Sequence, residues 1–367
     1  MNFAHWDALP AFNLDAAFRA YLLQASAARG RYEFDLATLQ FMALFRNGHT
    51  AFDDVWLWNT YGAAIGIDVQ RLAAGWFVTA SAHTEVQPGS RVMAVDDEPI
   101  DTFFRSRSIN IAASSEREAA RRLFSRPYLF PLSFRLTLED GFNGIVRRGE
   151  ASLQRSVRPT SMWIAPDRIR LLRIPSFELP AYEAEAVEAV RELGAGVHLI
   201  IDVRGNGGGD TPVSLVRALM TRQYRYWHAT TPVHVALCRA NGCPPETRTL
   251  LAEWHDPDPE AFPGRLAILV DGGTFSAAED FVVPFKDNGR APLVGETTGG
   301  SSGQPYLEDF DDGMRCWIGS KRQYFPDGSE FEGRGIEPDV VIPAISHDFR
   351  DTHDRVVNEA IWLLGNK

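Results

Sequence analysis

The chain has 367 residues, 45% hydrophobic and 23% charged, with nine Trp and 23 Phe spread along it. That length favours two or three domains with at least one sizeable core, and the composition excludes a disordered or low-complexity chain. A formal net charge of −11 argues against a nucleic-acid partner, which would call for a basic stripe.

No window reaches about 18 uninterrupted apolar residues, so no transmembrane segment is expected. The start, Met1-Asn2-Phe3-Ala4-His5-Trp6-Asp7, lacks a basic segment followed by an apolar core. It reads as a cytoplasmic protein without a signal peptide, although a chain trimmed to a mature start would leave a periplasmic or secreted location open. Three cysteines are too few and odd in number for a disulfide framework. Cys238 and Cys243 flank a short turn, and free thiols are favoured over a bridge. No His lies near them at zinc-like spacing, so no metal site is expected.

In chain order, apolar residues recur at helical spacing from Leu14 to about Phe45, broken near Arg29-Gly30-Arg31, which predicts a helical cap over 1–60. Between 61 and 157, short runs of Val, Ile, Phe and Thr separated by Gly, Pro and Asp predict a small β-rich module. Within it, 86–100 reads as turn, strand, turn and the start of a further strand, and Glu116 to Phe124 as a short helix. Over 158–345 strands alternate with helices. Strands are expected at 169–174, 198–203, 266–270 and 291–294, helices at 181–193, 212–221 and 276–286. Such alternation predicts an α/β fold class with a largely parallel sheet. The stretch from Arg222 to Pro263 has poor periodicity and reads as a long irregular insertion, a lid or a subunit contact. The last segment, 346–367, carries a helix near Asp354 to Leu364.

Two strand-to-helix junctions carry the chemistry. In the first, Leu266 to Val270 runs into Gly272-Gly273-Thr274-Phe275-Ser276-Ala277-Ala278-Glu279. A hydroxyl at the first turn of a helix faces unpaired N–H groups and the positive end of the macrodipole, which stabilise an oxyanion. Ser276 is therefore a candidate nucleophile, while capping of the helix by Ser276 or Thr274 is the plainer reading. In the second, Leu199 to Val203 runs into Arg204-Gly205-Asn206-Gly207-Gly208-Gly209-Asp210. Its glycines leave N–H groups uncovered for an anion. A Walker loop would need Gly-Lys-Ser or Gly-Lys-Thr at its end, and a dinucleotide fingerprint would need Gly at Asp210. Oxyanion stabilisation or a plain tight turn remains.

These two stretches, with Leu293-Val294-Gly295-Glu296-Thr297-Thr298-Gly299-Gly300 and Glu332-Gly333-Arg334-Gly335-Ile336-Glu337-Pro338-Asp339, resemble the C-terminal processing, or tail-specific, serine peptidases. The resemblance is specific over about Pro159 to Pro343. It implies a crotonase-like catalytic domain, a PDZ-like β module, a protein or peptide substrate and no cofactor or metal. One branch of the family uses a Lys shortly after Gly-Glu-Thr as base. Here Gly299-Gly300-Ser301-Ser302-Gly303 holds none, so the chain is similar instead to the histidine branch of the tricorn core and the interphotoreceptor retinoid-binding protein modules. That likeness implies His49 as base, Glu332 as its support, and oxyanion donors from Gly209 or Gly208 and from Ala277. The tricorn relay serine falls on Gly48, leaving Thr50, another hydroxyl or a water to replace it. Glu330 and Glu337 are less well placed than Glu332. The stretch 61–68 has no clear carboxylate-binding loop, so recognition of a C-terminus does not follow. The alternative function is a binding protein for an apolar ligand or peptide on the same fold, and a homo-oligomer is left open.

Overall fold

A computed structural model describes residues 2–194, 196–243, 246–351 and 353–365, and its backbone forms two compact units. The first comprises Met1–Gln154, Gln304–Ser320 and Ala344–Thr352, and the second Arg155–Gly303, Lys321–Pro343 and His353–Lys367.

In the first unit, helices Leu14–Ala27 and Arg31–Ala43 are separated at Gly30, where the sequence pattern breaks. Asn13 starts the first of them by accepting from the Ala16 N–H at 3.0 Å. An antiparallel sheet follows, with Ile67–Leu72, Gly75–Ser81, Arg91–Val95, Ser133–Leu138 and Asn143–Arg147 as successive neighbours. Ser133–Leu138 buries every second residue, Phe134, Leu136 and Leu138, as a strand with one face on a core must. The strand expected to begin at Pro99–Ile100 is only Glu98–Pro99, and a helix, Ile100–Ser108, takes over. Ile100, Phe103 and Phe104 are its buried residues, a helical spacing that a strand cannot bury on one face.

Ala51–Asp54 pairs antiparallel with Met314–Gly319, which pairs in turn with Pro305–Asp309. Residues 304–320 and 344–352 thus belong to the first unit although they are distant from it in sequence. No local pattern encodes a pairing across more than 250 residues.

The second unit is an α/β layer. Its elements are β1 (Thr160–Ala165), β2 (Ile169–Arg173), α1 (Pro180–Arg191), β3 (His198–Asp202), α2 (Val213–Leu219), β4 (Leu266–Val270), α3 (Ala277–Asn288), β5 (Leu293–Gly295), β6 (Val340–Val341) and α4 (Arg355–Gly365). The sheet order is β6-β5-β4-β3-β2-β1, parallel throughout except for the β1–β2 pair. All five residues of β4 are buried. Leu266, Ile268 and Val270 join the core that holds Leu215, Phe281 and Phe285, while Ala267 and Leu269 join Val357, Ala360 and Leu364 of α4. Period-2 alternation into two apolar layers explains why β4 reads as a continuous hydrophobic run.

The segment read as irregular, 222–263, contains paired strands. Tyr224–Arg225 pairs with Trp254–His255, and His228–Val233 pairs with both Glu246–Leu250 and Arg322–Tyr324. Every residue of Glu246–Leu250 is exposed and Pro232 interrupts the facing strand, so no hydrophobic alternation marks the hairpin. Cys243 and Cys316 are free thiols, and the Cys238 side chain lies outside the described residues.

Candidate active site

The turn after β4 is organised by Asp271. Its Oδ1 accepts from the N–H groups of Gly205 and Gly273 at 2.8 Å and of Thr274 at 3.1 Å. The Thr274 hydroxyl donates to the Val203 carbonyl at 3.0 Å. The two strand-to-helix junctions are thereby pinned side by side, which a parallel β3–β4 pair allows because both strands end at the same edge.

Ser276 stands at the N-cap of α3 with φ 56° and ψ −125°. An N-cap residue normally takes an extended conformation, and a left-handed φ strains any residue with a Cβ. The strain is held by the Ser276 N–H, which donates to the Ser301 carbonyl at 3.1 Å and to Glu279 Oε2 at 3.2 Å. Glu279, three residues on, reaches back to the N-cap N–H as the acid of a capping box does.

Beside it lies the glycine loop. A Cβ on Gly208, at φ 100°, would sit 2.7 Å from the Ser276 Cβ and 2.9 Å from the Ala277 nitrogen, so only glycine permits this approach. The Gly208 N–H donates to Asn206 Oδ1 at 2.9 Å and is not open to a substrate. The Gly208 carbonyl accepts from the Phe177 N–H at 2.9 Å, and the Asp210 N–H donates to the Phe177 carbonyl at 2.9 Å. Between those two bonds the Gly209 N–H engages no acceptor among the described residues. The same holds for the N–H of Ala277, the first residue of α3. Of the three donors named from the sequence, Gly209 and Ala277 are therefore uncommitted and Gly208 is not.

Glu332 lies in the same unit, where its Oε1 accepts from the Ser301 hydroxyl at 2.7 Å. The neighbouring Gly333 N–H donates to the Gly300 carbonyl at 2.7 Å. Glu279, fully buried, accepts from Thr298 Oγ1 at 2.5 Å, Gly300 N–H at 2.8 Å and Ser301 N–H at 3.1 Å. Burial pushes its carboxyl up to about 8, against the pull of those three donors and with a further push from Glu332.

His49 lies in the first unit, on the turn between helix Arg31–Ala43 and strand Ala51–Asp54. Asn47 Oδ1 accepts from the His49 N–H at 3.1 Å and from the Thr50 hydroxyl at 2.9 Å. Thr50 Oγ1 accepts in turn from the Gly319 N–H at 2.9 Å, which commits the hydroxyl next to His49 to the turn itself. The Gly48 N–H donates to Ser114 Oγ at 2.7 Å, and Arg122 donates to the Gly48 carbonyl at 3.3 Å. Burial, then the positive charge of Arg122 and the neighbouring His5, bring the His49 imidazole down to about 3, so the ring is neutral and its surroundings oppose a proton on it.

Four residues of the second unit escaped the sequence reading. Asn206, fully buried, ties the glycine loop to the Ile174 carbonyl and the Phe275 N–H, both at 2.9 Å. Asp280 accepts from Thr211 and Trp227 at 2.7 Å and from Ser302 at 3.0 Å. Glu279 and Ser301 are the other two. The available signal was a run of polar residues, Glu279-Asp280 and Ser301-Ser302, in otherwise apolar or glycine-rich segments. Among the described residues no three His, Cys, Asp or Glu side chains cluster so as to hold a metal ion, and no helix is long and apolar enough to cross a membrane.

The model of peptidase family S41 matches residues 168–342. A carboxyl-terminal-processing protease of Synechocystis sp. is 27% identical over 273 residues, covering 71% of this chain and 56% of that protein. Mature CPAF complexed with lactacystin superposes with a TM-score of 0.71 at 16% identity, covering 95% of this chain and 92% of the other. The photosystem II D1 C-terminal processing protease gives 0.55 at 17% identity, with 95% and 90% covered. At such identities the two structures establish a shared fold. The chain spans between about a quarter and just over half of the length of the curated relatives it matches. The stretch that matches peptidase family S41, residues 168–342, contains the strained serine, the glycine loop and the Glu332 turn.

Proposed function

We propose that the chain is a serine endopeptidase that cleaves protein or peptide substrates through an acyl-enzyme on Ser276. His49 removes the Ser276 proton as the hydroxyl attacks the scissile carbonyl, then returns it to the leaving amine and activates the water that hydrolyses the ester. Glu332 steadies the imidazolium, and the Gly209 and Ala277 N–H groups receive the oxyanion. This chemistry calls for no cofactor. The sheet with apolar layers on both faces supports a crotonase-like assignment for the second unit, and the antiparallel module of the first supports a PDZ-like one.

The observation that carries this reading is the left-handed backbone of Ser276, with uncommitted N–H groups at Gly209 in the neighbouring loop and at Ala277. A serine that merely capped a helix would have no need of that strain. The test is incubation of wild-type, Ser276→Ala and His49→Ala proteins with a fluorophosphonate, read by intact mass. One adduct on wild type, lost in both variants, is expected. A folded wild-type protein that takes up no probe would overturn the reading in favour of a binding protein on the same fold.

A further inference from the structure

Ser301 occupies the stretch where the lysine branch carries its base, and it is fully buried. All three of its polar groups have named partners. Its N–H donates to Glu279 Oε2 at 3.1 Å, its hydroxyl donates to Glu332 Oε1 at 2.7 Å, and its carbonyl accepts from the Ser276 N–H at 3.1 Å. Glu279 closes a ring by accepting from the same Ser276 N–H at 3.2 Å. One residue therefore touches the backbone of the nucleophile and the side chain of the carboxylate assigned to support the base.

We propose that Ser301 is a positioning residue that sets the Glu332 carboxylate relative to Ser276. The proposal rests on the peptidase reading above. A hydroxyl donating to a carboxylate at 2.7 Å is a charge-assisted bond, and away from water it constrains the carboxylate more than an exposed contact would. The backbone bonds of Ser301 hold the strained Ser276 turn and are independent of its side chain. Ser301→Ala consequently removes the link to Glu332 and leaves the link to Ser276 in place.

The experiment measures the second-order rate of fluorophosphonate labelling for wild type, Ser301→Ala, Ser301→Thr, Glu332→Ala and the Ser301→Ala/Glu332→Ala double variant, with a thermal melt of each. Expected is a fall of about 10- to 100-fold for Ser301→Ala, recovery to within about threefold of wild type for Ser301→Thr, which restores the hydroxyl, and no further loss when Ser301→Ala is added to Glu332→Ala. Labelling of Ser301→Ala at the wild-type rate, or losses that multiply in the double variant, would overturn it. Should Ser301→Ala unfold, Ser301→Thr is compared with the isosteric Ser301→Val, and equal rates for that pair overturn the proposal. Failure of the peptidase reading looks different, because wild type itself would then remain unlabelled.

Discussion

The strain at Ser276 predicts that this serine is held in place at the expense of stability. Replacing it by glycine or by alanine removes the hydroxyl in both cases, so the contacts of that group cancel in the comparison. At φ 56° and ψ −125° a residue with a Cβ carries a cost of about 1–3 kcal/mol that glycine escapes. Glycine gives back roughly 0.5–1 kcal/mol through the greater freedom of the unfolded chain. Ser276→Gly is expected to exceed Ser276→Ala by up to about 2.5 kcal/mol, with about 1 kcal/mol at mid-range. For a unit of this size the mid-range gain is roughly 2–4 °C in the unfolding midpoint. Paired urea titrations and thermal melts of the two variants measure it, and fluorophosphonate labelling verifies that both are inactive. A Ser276→Gly midpoint at or below that of Ser276→Ala would show that the left-handed turn costs no more than the roughly 0.5–1 kcal/mol that glycine gives back, and the structural case for an activated serine would lose its main support.

Gly209→Ala introduces a Cβ within 2.2–2.3 Å of the Phe177 and Glu178 backbone at φ 130°, so the loop must shift. Labelling is expected to fall by about 10²–10³, the cost of losing one oxyanion donor, and a wild-type rate would remove Gly209 from that role. His49 is held at about 3 against 6.5 for an ordinary imidazole, so its contribution to stability is complete above pH 6.5 and is lost as pH falls toward 3. Chemical denaturation at pH 7, 5 and 4 should show a decline of roughly 1–3 kcal/mol by pH 4, discounted for the partly exposed ring, that His49→Asn reduces; identical pH profiles for the two proteins would refute it. Arg204 donates to Asp202 at 2.7 Å and to Asp354 at 2.6 Å, joining the end of β3 to the start of α4. Arg204→Ala leaves the buried Asp202 without that cation and should cost about 3–5 kcal/mol, with faster hydrogen exchange in α4; a loss below about 1 kcal/mol would contradict it.

Much of the second unit was legible from the sequence because its signals are local. The parallel strands β3 and β4 are buried on both faces and read as continuous apolar runs, and α1, α2 and α3 follow at helical period. Ser276 and the glycine loop stand out for the same reason, since a strand-to-helix junction is written in consecutive residues. The helix Ile100–Ser108 was written there too, in the spacing of Ile100, Phe103 and Phe104, but Glu98-Pro99 resembles the start of a strand.

What the tertiary structure alone decided is which polar atoms meet. Gly208 and Gly209 are interchangeable in sequence, and Asn206 separates them by taking the N–H of the first. Ser301 is one of two serines in a glycine-rich turn until Ser276 and Glu279 at the start of α3, and Glu332 from a later turn, are brought around it. The strand pair 228–233 and 246–250, the second of them fully exposed, and the return of 304–320 to the first unit likewise carry no periodic mark. Periodicity records how a segment meets water, and it is therefore visible along the chain. The partner of a hydrogen bond depends on distances between residues far apart in sequence, and those exist only once the chain has folded.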